Sequence, residues 1–451
     1  MATGFRGASA GDIPATFPLV FSDRVNDASA SGVYVPEIHL ILDFQGPLDR
    51  PRLGRALRLL LDAEPVLGCR LEDRPFRPRW LRLGDEDLDA AELMAEAPGG
   101  EDGREEALQA FFGDFLDSAQ GPQIRALLLP GPGSDRLAVK INHRVCDAGG
   151  FKEVLYRLAG IYRSLASDPD HLPEPRAGSR SLGQVYGRFS LGGLWKILWR
   201  GLAEIWAMMR PFRSLQVPSG RTDGEGGPRL ILRHLSPERV MRMRDWAAAR
   251  GATVNDVLVT ATLRALARQT GWEGETALRL VGTVDLRRHL PGRRAGALCQ
   301  LTGMYGVSLG REFPRDFEAT LRRVKGQVDA QKTGHFGLGI FLVMAALYKP
   351  YPWFLVKRMM PGFWKVGLWD GNLPPGFTNL GAVDPAEADF GAPELESAAM
   401  VIPATHAPWF GVGVSGHKGA LTLSAGVWPG AIAPEWVEEL FFLVEEELPR
   451  A

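Results

Sequence analysis

Three observations on the sequence predict a mixed α/β protein built from two halves, each of which is a sandwich of strands and helices. The chain has 451 residues, about two to three times the usual length of one domain. In the first half the strand-like segment Val33–Phe44 precedes the helix-like segment Arg52–Ala63. In the second half the order is reversed, since the helix-like segment Ala252–Arg268 precedes the strand-like Leu278–Asp285. Between the halves, residues 217–228 are polar, rich in glycine and without periodicity, as is typical of a linker.

The clearest strand of the first half ends at Asn142. Apolar side chains occupy every second position from Leu137 to Ile141, whereas Lys140 and Asn142 face the other way. This alternation predicts a strand with one buried and one exposed face. From Phe151 onward the apolar period becomes that of an amphipathic helix.

The second half has signals for helices and for one hairpin. Thr253 is a predicted N-cap, and Phe317–Gln331 and Pro434–Glu446 have helical spacing. The segments Phe410–Ser415 and Ala420–Val427 predict a hairpin closed by residues 416–419. We therefore divide the chain into a first half, a basic amphipathic segment with the linker, and a second half, at residues 1–180, 181–228 and 229–451.

Composition and charge exclude several classes of protein. Hydrophobic residues make up 45% of the chain, which excludes wholesale disorder. Lys plus Arg number 52 and Asp plus Glu 53, so the net charge of −1 argues against a nucleic-acid binder. The three cysteines lie far apart, which argues against a disulfide framework and a thiolate zinc site and fits a reducing compartment. The first residues do not form a signal peptide, and no apolar run is long enough to span a membrane, so we expect a cytoplasmic protein.

The segment Ile141–Phe151, INHRVCDAGGF, has the residues of a catalytic turn. The strand period places His143 on the inner face at the strand's end, and Asp147 follows four residues later. Gly149 and Gly150 allow the chain to reverse into a helix. A histidine at the mouth of a buried channel can accept a proton at neutral pH. A lone histidine at a strand end is more often structural, so this motif needs its wider context.

That context resembles the condensation-domain-like, CoA-dependent acyltransferase superfamily. The superfamily includes chloramphenicol acetyltransferase, nonribosomal peptide condensation domains, polyketide-associated acyltransferases and bacterial wax-ester synthases, and its signature is HHxxxDG. Two positions differ from the signature, because Asn142 replaces the first histidine and Ala148 replaces the glycine. Three later segments resemble the superfamily in the expected order: Thr253–Leu258, Val284–Pro291 and Phe377–Asp384.

The resemblance implies two chloramphenicol-acetyltransferase-like subdomains arranged in a V, with the active site in a tunnel between them. His143 would be the general base and Asp147 a structural residue paired with an arginine, for which Arg287 is the candidate. The acyl group would come from a thioester of CoA or of a carrier protein, and the acceptor would be a hydroxyl or an amine. Neither a metal nor a bound cofactor is implied. The site would also be lined by Asn142, Gly149 and Gly150, and donors to the developing oxyanion would come from Thr378, Asn379 or Ser415.

Other interpretations of these residues are weaker. The pattern GxGxxG at 411–416 precedes a hairpin and not a helix, which argues against a dinucleotide site. Cys146 lies inside the motif, but a small buried residue is a commoner role there than a nucleophile. His143 and Asp147 have no third ligand at metal-binding spacing. The main alternative is a non-catalytic carrier-protein or lipid-binding protein on the same scaffold.

Two stretches rich in tryptophan carry an excess of basic residues. Residues 183–216 sum to +4 and residues 331–369 to +5. Apolar residues recur at helical spacing from Leu191 to Met209, with cations on another face. Such segments are as typical of a core as of a helix lying on an anionic membrane. We expect residues 191–213 and 340–369 to rest on the inner face of the membrane, where a lipophilic donor or acceptor would be found.

Overall fold

The structure is a computed structural model that describes residues 13–30, 33–98, 101–208, 214–215, 217–220, 227–314, 316–332, 334–369 and 373–449. The strands are β1 (Thr16–Pro18), β2 (Glu37–Phe44), β3 (Cys69–Glu72), β4 (Arg79–Arg82), β5 (Met94–Glu96), β6 (Ile124–Gly131), β7 (Ser134–Asn142), β8 (Arg229–Leu235), β9 (Leu278–Asp285), β10 (Thr302–Gly310), β11 (Gly376–Ala382), β12 (Leu395–Val401), β13 (Gly411–His417) and β14 (Ala420–Val427). The helices are α1 (Phe21–Ala30), α2 (Arg50–Ala63), α3 (Asp85–Ala90), α4 (Glu101–Gly113), α5 (Ala148–Ser167), α6 (Gly183–Tyr186), α7 (Leu191–Met208), α8 (Pro237–Ala248), α9 (Val254–Gln269), α10 (Phe317–Gln331), α11 (Gly339–Tyr348), α12 (Trp353–Trp369) and α13 (Pro434–Glu447).

The first sheet has five strands in the order β12–β2–β7–β6–β5 and is buried on both faces. On one face Leu137 and its neighbours of the same parity join a core that also contains α2 and α5. On the other face α4 packs through Phe112, and Lys140 of β7 is fully buried. The Lys140 ammonium donates to the main-chain carbonyls of Phe111 and Asp114. The expectation that one face of this strand is exposed is therefore wrong, because the helix ends in carbonyls that a buried lysine can satisfy.

The second sheet has six strands in the order β10–β9–β11–β13–β14–β8. Helices α8, α9, α10 and α13 pack on it around a second core. The predicted cap at Thr253 is present as a capping box: its hydroxyl accepts from the Asp256 N–H, and the Asp256 carboxylate accepts from the Thr253 N–H. The predicted hairpin is also present, but β13 continues through His417. The turn is therefore Lys418–Gly419, two residues with positive φ, as two-residue hairpin turns require.

The second half contributes one strand to the sheet of the first half. Strand β12 comes from the second half of the sequence yet pairs antiparallel with β2 in the first sheet, from Leu395 opposite Phe44 to Val401 opposite His39. A boundary at residue 228 thus separates two parts of the sequence, but it does not separate the two sheets, since β12 follows the boundary and belongs to the first sheet. The segment before β10 also crosses between the halves, and it contributes directly to the site described below.

Helices α7 and α11 pack closely, and a third, smaller core lies beneath them. Gly201 and Gly339 face each other there, and a Cβ on Gly339 would lie 2.6 Å from the Cα of Gly201. Ile197 is the residue of α7 that is completely buried in this core. Met209 of the predicted stripe, together with residues 210–213, lies outside the described residues. Within the described part of the chain, none of the helices has the length and apolar character needed to span a bilayer.

Candidate active site

A cavity of about 320 Å³ lies between the two halves and is lined mostly by apolar side chains. The first half contributes α1, the end of β7 and the start of α5. The second half contributes β9, β11 and the segment Gln300–Thr302, and α11 contributes Phe341. His143 and Asp147 both line this cavity, so the predicted motif lies where the two halves meet.

His143 is held by main-chain contacts that fix both its position and its tautomer. Its backbone N–H donates to the Pro36 carbonyl over 2.7 Å. Its ring Nδ1 lies 2.7 Å from the Cys146 carbonyl oxygen, which can only accept, so Nδ1 carries the proton. Nε2 is then the unprotonated nitrogen of the ring, as a general base requires. Burial lowers the pKa of His143 below its usual value, although the Cys146 carbonyl opposes this shift, so the imidazole is neutral at pH 7.

Asp147 caps helix α5 and is saturated with hydrogen bonds. Its Oδ1 accepts from the Gly150 N–H at 2.8 Å and from Arg287 Nη1 at 2.9 Å. Its Oδ2 accepts from the Leu301 N–H at 2.6 Å and from the Thr302 hydroxyl at 3.0 Å. Burial opposes ionisation, but Arg287 and these donors outweigh it, so the pKa of Asp147 lies below its usual value. A carboxylate with all four contacts made inside the protein has a structural role.

Arg287 joins the two halves through this carboxylate. It lies in the turn after β9, and its side chain is 3% exposed. Besides Asp147, it contacts Glu153 of α5 at 3.1 Å and Asp285 at 3.2 Å. Its Nη2 donates to the Cys299 carbonyl at 3.0 Å. The structure thus brings the sequence-derived candidate Arg287 into a buried ion pair with Asp147.

Further residues hold the turn that carries His143 and Asp147, and sequence reasoning missed them. The His143 carbonyl accepts from the side-chain amides of Asn26 and Gln300. Arg180 is buried, pairs with Asp23 at 2.7 Å and donates to the Val145 carbonyl at 3.0 Å. These residues lie in segments without periodicity or motif.

The other predicted site residues fall into two groups. Thr378 and Asn379 of β11 line the cavity together with Gly149. Asn142 lies behind the turn, where its amide donates to Gln123 Oε1 at 2.9 Å. Ser415 is buried away from the cavity, and its hydroxyl accepts from the Met400 N–H at 3.0 Å. Ser415 is therefore placed where it cannot meet an oxyanion beside His143.

The glycines of the motif are required by close contacts. A Cβ at Gly149 would lie 2.5 Å from Arg287 Nη1, inside the ion pair. A Cβ at Gly150 would lie 2.9 Å from the Cys146 Cβ, so Gly150 lies behind the turn and not on the cavity wall. Ala148, which stands where the signature has glycine, lines the cavity. The turn therefore has room for the Ala148 methyl group on the side that faces the cavity.

Cys146 does not have the environment of a nucleophile. It is completely buried, and burial raises the pKa of its thiol well above the usual value, so the thiol stays protonated. In the described residues, no group of three or more histidine, cysteine, aspartate and glutamate side chains is arranged to hold a metal ion.

By sequence, no protein-family model and no curated protein matches the chain. Many solved structures match it by shape, including three that match over nearly its whole length. The trichothecene 15-O-acetyltransferase of Fusarium sporotrichioides has a TM-score of 0.70 at 12% identity and covers 99% of both chains. The chain has the condensation-domain fold.

Two further structures show the same fold. The first condensation domain of the calcium-dependent antibiotic synthetase, in complex with a substrate analogue, has a TM-score of 0.69 at 17% identity, covering 97% of this chain and 98% of that one. Polyketide synthase associated protein 5 of Mycobacterium tuberculosis has a TM-score of 0.65 at 14% identity, covering 97% of this chain and 100% of that one. The expected architecture of two acyltransferase-like subdomains is therefore confirmed, and the cavity lies between them.

Replacing Asp147 with asparagine should destabilise the protein strongly. The change leaves Arg287 buried without its main partner, and breaking a buried pair in this way costs about 3–5 kcal/mol of unfolding free energy. Because the pKa of Asp147 is depressed, its contribution is complete above the unfolded value of 3.8 and is lost as the pH falls through the lower folded value. The difference between wild type and Asp147→Asn, measured by urea denaturation, should therefore shrink at acid pH.

Asp389→Asn is the matched control, because it removes an exposed carboxylate from an ion pair with Arg163. We expect it to change the unfolding free energy by less than about 1 kcal/mol. If Asp147→Asn were no more destabilised than Asp389→Asn, the pair with Arg287 would not hold the halves together.

Proposed function

We propose that the protein is an acyltransferase that uses His143 as its general base. The observation that carries the proposal is the neutral His143 imidazole, held by the Cys146 carbonyl on the wall of a cavity between the halves. His143 Nε2 would take the proton of an acceptor hydroxyl or amine as that atom attacks the thioester carbonyl carbon. The tetrahedral intermediate would then collapse by breaking the C–S bond, and the leaving thiolate would take the proton back from the imidazolium.

The donor in this proposal is an acyl thioester of CoA or of a carrier protein. Support comes from the fold neighbours, among which are condensation domains of peptide synthetases and an acetyltransferase. The developing oxyanion needs a donor. Thr378 lines the cavity and its hydroxyl has no hydrogen-bond partner in the described part of the chain. The Asn379 amide already donates to Asn255 Oδ1 at 3.1 Å, so we favour Thr378.

A lipophilic substrate taken from a membrane is part of the same proposal. One face of helix α7 packs on α11. A stripe of large apolar side chains on its other side is exposed, with fractions from 40% to 87%. The stripe comprises Leu191, Trp195, Trp199, Leu202 and Trp206. Tryptophan beside cations on an amphipathic helix is typical of a helix that lies in a membrane interface.

The neighbouring helices extend this surface and supply its charge. Leu347, Tyr351 and Phe354, around the junction of α11 and α12, are each about half exposed. Lys349 and Arg358 are exposed beside them. Glu204, the acid of residues 183–216, is paired with Arg200 at 3.0 Å, and the stretch keeps a net charge of +4. An anionic lipid surface complements this charge, at about 1 kcal/mol for each contacting cation.

Replacing His143 with alanine should keep the fold and reduce turnover by about 10²–10⁴, the usual contribution of a general base. The measurement is release of free CoA from a set of acyl-CoA donors with mixed alcohol and amine acceptors. His171→Ala, a histidine outside the cavity, is the control and should keep wild-type turnover. If His143→Ala also kept it, His143 would not be the base. A wild type that binds acyl-CoA without turning it over would favour the non-catalytic binding protein.

Liposome flotation tests the membrane contact. At low salt the protein should float with vesicles that contain phosphatidylglycerol and should stay behind with neutral vesicles, because the attraction is electrostatic. Lys357 already contacts Asp73 at 2.5 Å, so the informative variant is Lys349→Glu with Arg358→Glu, which should float less. Arg242→Glu with Arg244→Glu makes the same charge change on α8 and should float like wild type. Equal flotation of both double variants would contradict the proposed surface.

A further inference from the structure

The cavity is lined by a lysine that the proposed reaction does not use. Lys152 lies in α5, one helical turn after Ala148, and its side chain lines the cavity. Burial lowers the pKa of Lys152 below its usual value, and the carboxylate of Asp285 opposes this shift. The Lys152 side chain is half-buried, so its ammonium group has lost part of its contact with water.

Lys152 has no direct partner within the described part of the chain. None of the carboxylates there lies within the 4.0 Å ion-pairing distance of its Nζ, and none of the acceptors there is hydrogen-bonded to it. Its Nζ lies against the backbone of β11, 2.9 Å from where a Cβ of Gly381 would be. Gly381 has a φ of +76°, so both its conformation and this contact favour glycine.

The acids around Lys152 are occupied by other groups. Asp147 is saturated by Arg287 and three other donors. Glu153 lies between Arg287 at 3.1 Å and Arg176 at 2.6 Å. Asp285 is engaged by Arg287 at 3.2 Å. All three acids make their direct contacts with arginines or other donors, and none of them forms an ion pair with Lys152. The Lys152 ammonium can therefore contact a group that enters the cavity.

We propose that Lys152 binds a carboxylate carried by the substrate. A cation in a mostly apolar cavity is costly unless an anion or an acceptor joins it, and a substrate carboxylate supplies both. The phosphates of CoA are a poor match, because the pantetheine arm holds them far from the thioester that must lie beside His143. The carboxylate therefore belongs to the acceptor or to the acyl chain. A role of Lys152 in selecting the substrate rests on the proposed function, but the binding of a carboxylate by Lys152 does not.

Calorimetric titration with octanoate and octanamide tests whether Lys152 binds a carboxylate, and it requires no turnover. The two probes have the same chain, and only octanoate carries a charge. Wild type should bind octanoate about tenfold more tightly than octanamide, the usual gain from a hydrogen bond to a charged group. Lys152→Met should lose this preference, whereas Lys152→Arg should keep most of it. Lys325→Met, which removes a lysine of α10 outside the cavity, is the matched control and should bind both probes like wild type.

The pH dependence gives a second readout. Octanoate binding to wild type should weaken as the pH rises through the lowered pKa of Lys152, whereas Lys152→Arg should show no such loss over the same range. Equal binding of the two probes to wild type, a preference that survives in Lys152→Met, or no octanoate binding at all would each overturn the proposal. A wild type that prefers octanoate to octanamide but turns over none of the acyl-CoA donors would refute the proposed reaction and leave the carboxylate site standing.

If Lys152 binds octanoate as proposed, turnover assays distinguish whether the substrate carboxylate belongs to the acceptor or to the acyl chain. Acceptors would be compared as free hydroxy or amino acids and as their methyl esters, and donors as glutaryl-CoA and butyryl-CoA. An acceptor carboxylate predicts faster turnover of the free acids, and an acyl carboxylate predicts a preference for glutaryl-CoA. In either case Lys152→Met should reduce the preference by raising KM for the charged member.

Discussion

The buried pair between Asp147 and Arg287 is the interaction on which the rest of the site depends. One carboxylate caps α5, binds an arginine from the second half and accepts from the Leu301 N–H and the Thr302 hydroxyl. A pair with side chains 3% exposed is costly to assemble and still more costly to break. The turn that carries His143 and Asp147 therefore depends on contacts from both halves.

The same contacts explain why the cavity lies where it does. Gln300 and Asn26 hold the His143 carbonyl from opposite halves, while Arg180 holds the Val145 carbonyl. The carbonyls of His143 and Val145 are thus tied to side chains outside the turn, of which Gln300 and Arg180 are themselves buried. A side chain held in this way needs little rearrangement when a ligand enters the cavity. Strand β12 adds a further link, because it places a segment of the second half in the sheet that carries His143.

The sequence alone was sufficient for features that depend on local pattern. Alternation and helical spacing located β7, α5 and α9, and the resemblance led to Arg287 as the partner of Asp147. Features that depend on tertiary contact were out of reach. The burial of Lys140 depends on carbonyls at the end of α4, and the placement of β12 in the first sheet has no local signal. Ser415 was misplaced for the same reason, since its neighbour Met400 lies on another strand.

The protonation state of His143 tests the central claim most directly. The account predicts an imidazole that is neutral at pH 7, because burial lowers its pKa, and that carries its proton on Nδ1, because the Cys146 carbonyl accepts there. The measurement is nitrogen NMR of ¹⁵N-histidine-labelled protein, with the His143 signals assigned by comparison with His143→Ala. A protonated Nδ1 and an unprotonated Nε2 that persist below pH 6.5 would agree with the account. An imidazolium at pH 7, or a proton on Nε2, would contradict it.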